Sequence, residues 1–282
     1  MGTLLLVATP IGNLGDLTPR AVEAFAAADL VCCEDTRRSG RLLQHAGVTA
    51  RRLRRVDDHT EHAATGEVLE VLNAGGTVAV VTDAGTPGIS DPGQRLVRAA
   101  IEAGHAVSAV PGPAALVMAL VISGMSTDRF VFEGFLPRSG RERAERVGEI
   151  STQRSTSILY EAPHRVARTV ADLAVACGPE RRVALCRELT KLHEEVWRGT
   201  LGEAANHLSE REPIGEFVVV LDGAPVAAPT TDDEVSALLR RAVSGGMSKR
   251  DAAAHVAAQT GRPKRDVYNL ALSLTLTLPS AF

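Results

Sequence analysis

Aromatic residues are scarce in this chain: one Trp, two Tyr and six Phe among 282 residues. Any core must therefore rest on Ala, Val and Leu, and a hydrophobic content of 45% is enough to build one. Cysteine is equally sparse. Cys32 and Cys33 are adjacent while Cys177 and Cys186 stand alone, which gives neither a disulfide framework nor a metal-type spacing and fits a reducing cytoplasm. No apolar run reaches the roughly 18 residues needed to span a bilayer. The opening Met1-Gly2-Thr3-Leu4-Leu5-Leu6-Val7 lacks a charged leader and a cleavage site, so it reads as a first strand. A net charge of −3 argues against a protein coated in positive potential.

The length suggests two domains with an appendage. Charge is unevenly placed. Between residues 236 and 270 lie Arg240, Arg241, Lys249, Arg250, Arg262, Lys264 and Arg265 against only Asp251 and Asp266, a basic module suited to gripping phosphates. A denser cluster, Arg51-Arg52-Leu53-Arg54-Arg55, precedes Asp57-Asp58-His59-Thr60-Glu61-His62, where two histidines three apart sit beside carboxylates. No third ligand has convincing spacing, so no metal site is expected.

Strand-like segments at residues 4–7, 30–33, 77–82 and 106–110 alternate with helical ones. Thr18 and Pro19 mark a helix start, and Gly75-Gly76 mark a helix end. This rhythm predicts a parallel α/β domain over residues 1–112. Its loops at 9–16, 34–38, 83–91 and 111–115 then fall at the carboxyl ends of strands, the edge where open α/β sheets bind ligands. A second rhythm over 113–223, with strands near 130–133, 156–160, 183–186, 194–199 and 216–222, predicts a mixed-sheet α/β domain. A linker, Gly223-Ala224-Pro225-Val226-Ala227-Ala228-Pro229, leads to three short helices over 232–282, a basic helix-turn-helix-like module.

The stretch Val80-Val81-Thr82-Asp83-Ala84-Gly85-Thr86-Pro87-Gly88-Ile89-Ser90-Asp91-Pro92-Gly93 is a buried strand running into a polar loop. Its glycines permit close approach to backbone amides, and its prolines limit the entropy lost on binding. It matches neither the P-loop nor G-x-G-x-x-G, so phosphate cradling and dinucleotide binding are not indicated.

Six motifs occur in order: Ala8-Thr9-Pro10-Ile11-Gly12-Asn13-Leu14-Gly15-Asp16, Glu34-Asp35-Thr36-Arg37, the 83–93 loop, Pro111-Gly112-Pro113, Glu133-Gly134-Phe135-Leu136-Pro137 and Arg187-Glu188-Leu189-Thr190-Lys191. Together they resemble the bacterial small-subunit ribosomal RNA 2′-O-methyltransferase I family, of the tetrapyrrole-methylase superfamily, over nearly the whole chain. The resemblance implies a two-domain α/β fold with S-adenosylmethionine in the interdomain cleft, usually a homodimer. It implies as substrate a decoding-centre cytidine of 16S rRNA in the small ribosomal subunit, methylated on its ribose oxygen, with no part for DNA or membrane.

Carried onto this sequence, the methionine-binding loop falls on Asp83, Ala84, Gly85, Thr86, Pro87, Ile89 and Ser90. Ile11, Pro113, Ala114 and Ala115 fall at further contact positions, and Tyr160, Glu188 or Leu189, and Phe217 or Val218 on the opposite side. Many relatives carry Gly-Asp-Pro where this chain has Gly85-Thr86-Pro87, and Asp83 is expected to compensate. Glu34, Asp35, Glu161, Glu188 and Lys191 are the candidates for easing the proton from the ribose hydroxyl, Lys191 on condition that burial or a nearby cation lowers its pKa. The expected RNA phosphate contacts are Arg138, Arg141, Arg143, Lys249, Arg250, Lys264 and Arg265, with Arg37 and Arg38 nearer the target nucleotide. The sequence admits two other readings: a methylase of a corrinoid precursor, and a ribosome-assembly factor that binds RNA without catalysis.

Overall fold

The computed structural model describes residues 1–57, 60–210, 212–225 and 231–274. Residues 1–224 form one compact unit and residues 225–282 a second.

The first unit begins with a five-stranded, wholly parallel sheet. Its strands are β1 (Thr3–Val7), β2 (Leu30–Cys33), β3 (Leu53–Arg55), β4 (Thr77–Val80) and β5 (Ala106–Val110), in the order β3-β2-β4-β1-β5. Both faces are covered, so β2 and β4 read as continuous apolar runs rather than alternating ones. Successive residues nonetheless point to opposite sides. Leu30, Cys32, Val78 and Val80 pack on α3 (Glu61–Asn73) and α4 (Gln94–Glu102), whereas Val31, Cys33, Ala79 and Val81 pack on α1 (Pro19–Ala27) and Leu43 of α2 (Thr36–His45). As expected, the Thr18 side chain caps α1, accepting the Ala21 N–H, and Pro19 occupies the first turn.

Three local expectations needed correction. The basic run at 51–55 contains an edge strand, and Arg51, Arg52, Arg54 and Arg55 are paired with Asp29, Glu67, Glu67 and Asp57. Charge along an edge strand blocks pairing with another chain. The motif at residues 34–38 turns into helix already at Thr36, because the Asp35 side chain accepts the Arg37 N–H. Strand β4 ends at Val80, although Val81 and Thr82 continue buried.

Helix α5 (Ala115–Ser123) leads into a second five-stranded sheet. Strands β6 (Phe130–Phe135), β7 (Thr156–Glu161), β8 (Arg182–Arg187), β9 (Glu195–Thr200) and β10 (Phe217–Leu221) are ordered β6-β7-β10-β8-β9. Only the β6–β7 pair is parallel, so the sheet is mixed as expected. A bulge between Phe132 and Gly134 carries β6 on to Phe135, two residues past the expected strand end at 133. Central β10 is wholly buried. Val219 and Leu221 face α6 (Gly140–Thr152), α7 (Pro163–Cys177) and α8 (Leu201–Ser209), while Val218 and Val220 face α5.

The second unit contains α9 (Asp232–Ser244), α10 (Lys249–Thr260) and α11 (Lys264–Ser273) around Val235, Leu239, Val256, Val267 and Ala271. A Thr231–Glu234 capping box starts α9, and Gly261, at φ 67°, ends α10 in the left-handed conformation that glycine adopts without strain. Among the described residues no helix is long and apolar enough to cross a membrane.

Candidate functional site

The loops leaving β1, β4 and β5 meet at one end of the first sheet. Thr9 and Gly85 exchange backbone hydrogen bonds of 2.9 and 3.1 Å, and the Thr86 hydroxyl donates to the Pro113 carbonyl at 3.1 Å. Gly85 has φ 85°, and a Cβ there would lie 3.4 Å from Ile11 Cγ2, so this backbone stays bare toward the neighbouring space. The far end of the loop is closed by a buried carboxylate. Glu61 Oε1 accepts the N–H groups of Gly93, Arg95 and Leu96 at 3.0, 3.0 and 3.3 Å, capping α4 from another helix.

Against these loops stand the carboxyl ends of β6 and β7, the amino end of the antiparallel β10 and the turn after β8. A cavity of about 370 Å³ lies between, within the usual small-molecule range of roughly 300–1,000 Å³. From the first sheet come Ile11, Ala84, Gly85, Thr86, Ile89, Ser90, Asp91, Ala114 and Ala115. The opposite wall consists of Phe135, Tyr160, Glu161, Ala162, Pro163, Leu189, Glu216, Phe217 and Val218. Tyr160 is fixed edge-on by Phe132 and Phe135, with ring centroids 4.9 and 5.7 Å away, and its oxygen accepts the Leu116 N–H at 3.1 Å. Burial raises the phenol pKa, the Leu116 hydrogen bond opposing it, so Tyr160 is a neutral wall.

The non-glycine residues with positive φ among those described are Ser90 (61°), Glu188 (51°) and Thr190 (64°). All three lie in loops beside this cavity, and each such conformation costs on the order of 1–3 kcal/mol unless its surroundings hold it. Here they do. Thr190 Oγ1 accepts the Asn13 N–H at 3.1 Å and its own N–H donates to Glu194 at 2.6 Å, while Glu188 Oε1 accepts from Glu216 N at 2.9 Å.

Most of the residues expected at a donor pocket are thus brought together, and of the Glu188/Leu189 alternatives it is Leu189 that faces the cavity. Asp83, Pro87, Pro113 and Glu188 do not line it. Asp83 does not stand in for an acid at position 86: its carboxylate accepts the Asp35 N–H at 3.2 Å and pairs with Arg38 at 3.2 Å, outside this cavity. Asp91, Phe135, Ala162, Pro163 and Glu216 were missed, although Asp91 and Phe135 lie inside motifs already singled out.

The proton-handling candidates divide. Lys191 Nζ sits 2.9 Å from Glu188 and 2.8 Å from Glu216. Burial works to lower its pKa, but the two carboxylates outweigh it and hold the ammonium above the usual lysine range, so the condition for a lysine base is not met. For Glu188 burial raises the pKa, but hydrogen bonds from Lys191 and the Glu216 N–H outweigh it and keep it below the ordinary range. Glu161 is 2% exposed, and its oxygens take the Thr169 hydroxyl at 2.6 Å, the Ala162 N–H at 3.0 Å and Arg165 at 3.1 Å. Asp35 is held well below the carboxylate range by Arg37 while it caps α2. Glu34 is half-buried at the end of β2 and lines no described cavity. The cysteines are no nucleophiles: burial pushes the thiols of Cys32 and Cys186 up to about 12 and about 11.

Among the basic residues, Arg143 requires correction. It is 5% exposed and donates to Asp172, Thr169 and the Pro137 carbonyl at 2.8–3.0 Å, which makes it an internal strut tying α6 to α7 rather than a phosphate ligand. Arg138 and Arg141 are exposed, Arg141 paired with Glu145; Arg37 is paired with Asp35. In the second unit Arg250, Lys264 and Arg265 are exposed, while Lys249 donates to the Leu274 carbonyl at 3.2 Å. His59 lies outside the described residues.

Residues 3–205 match the family model of the Tetrapyrrole (Corrin/Porphyrin) Methylases, and residues 229–275 that of the RsmI C-terminal HTH domain. The chain is 48% identical over 276 residues to a Ribosomal RNA small subunit methyltransferase I of Synechocystis, covering 97% of this chain and 99% of that protein. Among solved structures, the methyltransferase CobJ aligns with a TM-score of 0.61 at 20% identity, covering 79% of this chain and 95% of the other. A uroporphyrin-III C-methyl transferase of Thermus thermophilus, solved in complex with S-adenyl homocysteine, aligns at 0.57 and 16% identity, covering 79% and 97%. These structural likenesses concern the fold; the near-full-length identity settles the lineage, and the chain belongs to the ribosomal RNA small subunit methyltransferase I family of the tetrapyrrole methylases.

Proposed function

We propose that this methyltransferase modifies the ribose 2′-oxygen of a decoding-centre cytidine in 16S rRNA, acting in the cytoplasm as a homodimer on the small ribosomal subunit. The methyl donor is S-adenosylmethionine, which when bound supplies a methyl group already activated on sulfur. The observation that carries the reading is the combination, in one chain, of a glycine-loop cavity at a sheet edge with a separate basic helix-turn-helix unit beyond the tetrapyrrole-methylase match. A methylase of small tetrapyrroles has no need of the latter.

The residues present fit the donor. Gly85 and Ala84 offer bare backbone, Ile11, Leu189, Phe217 and Val218 offer apolar walls, and Asp91 and Glu216 provide carboxylates for hydroxyl or amino groups. We take residues 1–112 and 113–223 as the two domains that close on it and residues 232–282 as the module that carries RNA affinity.

The chain's contribution to rate is mainly positional. A rigid wall holding the acceptor oxygen in line with the methyl turns an encounter into a near-unimolecular step. Lys191, kept as an ammonium, and Glu188, kept as a carboxylate, serve to fix the 188–191 turn and not to accept the proton. As the new O–C bond forms, the methyl–sulfur bond of the donor would break and release S-adenosylhomocysteine, and the proton of the ribose hydroxyl would pass to solvent. Incubating the protein with small subunits and methyl-labelled donor, then digesting the rRNA to nucleosides, is expected to yield label only in 2′-O-methylcytidine; label on a base, or none, would contradict the reading.

A further inference from the structure

A second cavity, of about 290 Å³, opens at the same sheet edge. Its lining comes from the β1 and β4 loops, through Thr9, Pro10, Leu14, Thr82 and Asp83, and from helix α2, through Arg38, Ser39, Arg41 and Leu42. The two cavities share a partition. The first uses Gly85 and Ile11, the second Thr9, Pro10 and Asp83, and Thr9 is hydrogen-bonded to Gly85 through both backbone groups. Whatever occupies the second therefore lies one backbone bridge from the occupant of the first.

The two linings differ in chemistry. The first is largely aliphatic and aromatic. The second carries two guanidinium groups, three hydroxyls and one carboxylate beside the apolar surfaces of Pro10, Leu14 and Leu42. Arg38 is oriented by Asp83 at 3.2 Å, which leaves most of its donor fork open. Arg41 is exposed and makes no ion pair or hydrogen bond among the described residues, so its five donors are available. Two arginines recognise a phosphodiester; the Thr9 and Thr82 hydroxyls, which donate to the Thr82 and Ala84 carbonyls, leave only their oxygens to accept from a ribose; and Leu14, 48% exposed at the rim, is an apolar surface for a base.

We propose that this second cavity receives one ribonucleotide splayed out of single-stranded RNA, with its flanking phosphate on Arg41 and Arg38. This rests on the RNA reading above and adds to it a nucleotide subsite one backbone bridge away from the donor cavity. A base paired in a duplex does not fit such a recess, so the nucleotide it takes must be unstacked.

The test uses the full-length protein loaded with S-adenosylhomocysteine and cytidine 3′-monophosphate as probe, with binding followed by NMR. Arg41→Glu is expected to reduce probe affinity at least tenfold, Arg41→Lys to restore part of it, and Arg98→Glu, an exposed charge reversal on α4 outside both cavities, to leave it unchanged. Affinity for S-adenosylhomocysteine stays constant throughout, which also reports that Arg41→Glu is folded. Equal binding by wild type and Arg41→Glu, or no binding by wild type at millimolar probe, overturns the proposal. Methyl transfer to small subunits by the same variants separates the two ideas. A wild type that binds the probe through Arg41 yet labels no rRNA sinks the proposed reaction and leaves the cavity assignment standing.

Discussion

Gly12 and Lys191, 179 positions apart in the chain, are in contact so close that a Cβ on Gly12 would lie 2.4 Å from Lys191 Cγ and 3.0 Å from the Leu189 carbonyl oxygen. The β1 loop and the 188–191 turn therefore fit only because residue 12 has no side chain. Gly12→Ala forces the turn outward, along with Leu189 on the cavity wall. We expect a loss of about 1–3 kcal/mol in urea unfolding, as for other overpacked contacts, with weaker S-adenosylhomocysteine binding by calorimetry. Unchanged values in both would show that the turn gives way freely.

The Lys191–Glu188–Glu216 cluster has a definite pH signature. Lys191 is raised, so its stabilisation is complete below the unfolded lysine pKa of about 10.4 and lost as pH rises through the folded value; Glu188 is lowered, so its part is complete above about 4.3 and lost as pH falls through the folded value. The stability difference between wild type and Lys191→Met should be flat from about pH 6 to 9, on the order of 0.5–1 kcal/mol for these partly exposed groups, and shrink on either side. A difference that instead changes near neutrality would mean that Lys191 titrates there and is available as a base.

Thr86 ties the β4 loop to the β5 loop through its hydroxyl. Replacing it with Val leaves the Pro113 carbonyl without that donor, at a cost of roughly 1 kcal/mol. The expected readout is a loss of about that size in urea unfolding together with a weaker S-adenosylhomocysteine affinity. A variant that binds as tightly as wild type would place the methyl-donor loop's order elsewhere.

Arg143 and Arg138 lie five positions apart and are expected to behave oppositely. Arg143→Ala leaves the Pro137 carbonyl and Thr169 without their donor and Asp172 with Arg168 alone, and should lower stability by about 1–3 kcal/mol, whereas Arg138→Ala should leave the melting temperature unaltered and weaken RNA binding alone. Thermal unfolding and filter binding of rRNA separate the two directly. Equal effects on RNA binding at unaltered stability would return Arg143 to the phosphate contacts.

The fold was largely legible because its signals are local. Thr18-Pro19 marks the start of α1, the apolar runs at residues 77–82 and 216–222 mark central strands, and the Gly/Pro loops at 9–16, 83–93 and 111–113 mark the sheet edge that gathers the cavity. What escaped depends on partners distant in sequence. Glu61 reaches 32 positions along the chain to cap α4, and Arg143 reaches 29 to find Asp172. Strand β3 was hidden because Leu53-Arg54-Arg55 is an edge strand whose charges are neutralised from α3 and from residue 57, a pattern that in sequence is indistinguishable from a solvated basic cluster. The acid at position 83 was misjudged for the same reason: its partner, Arg38, comes from helix α2, 45 positions earlier in the chain.

The central claim is tested most directly by mass spectrometry of 16S rRNA nucleosides from cells with the gene intact, deleted, and restored with wild type or Arg41→Glu. One 2′-O-methylcytidine at the decoding centre should vanish on deletion and return with the wild-type gene, but return only weakly with Arg41→Glu. An unaltered set of ribose methylations in the deleted strain would contradict the proposed reaction.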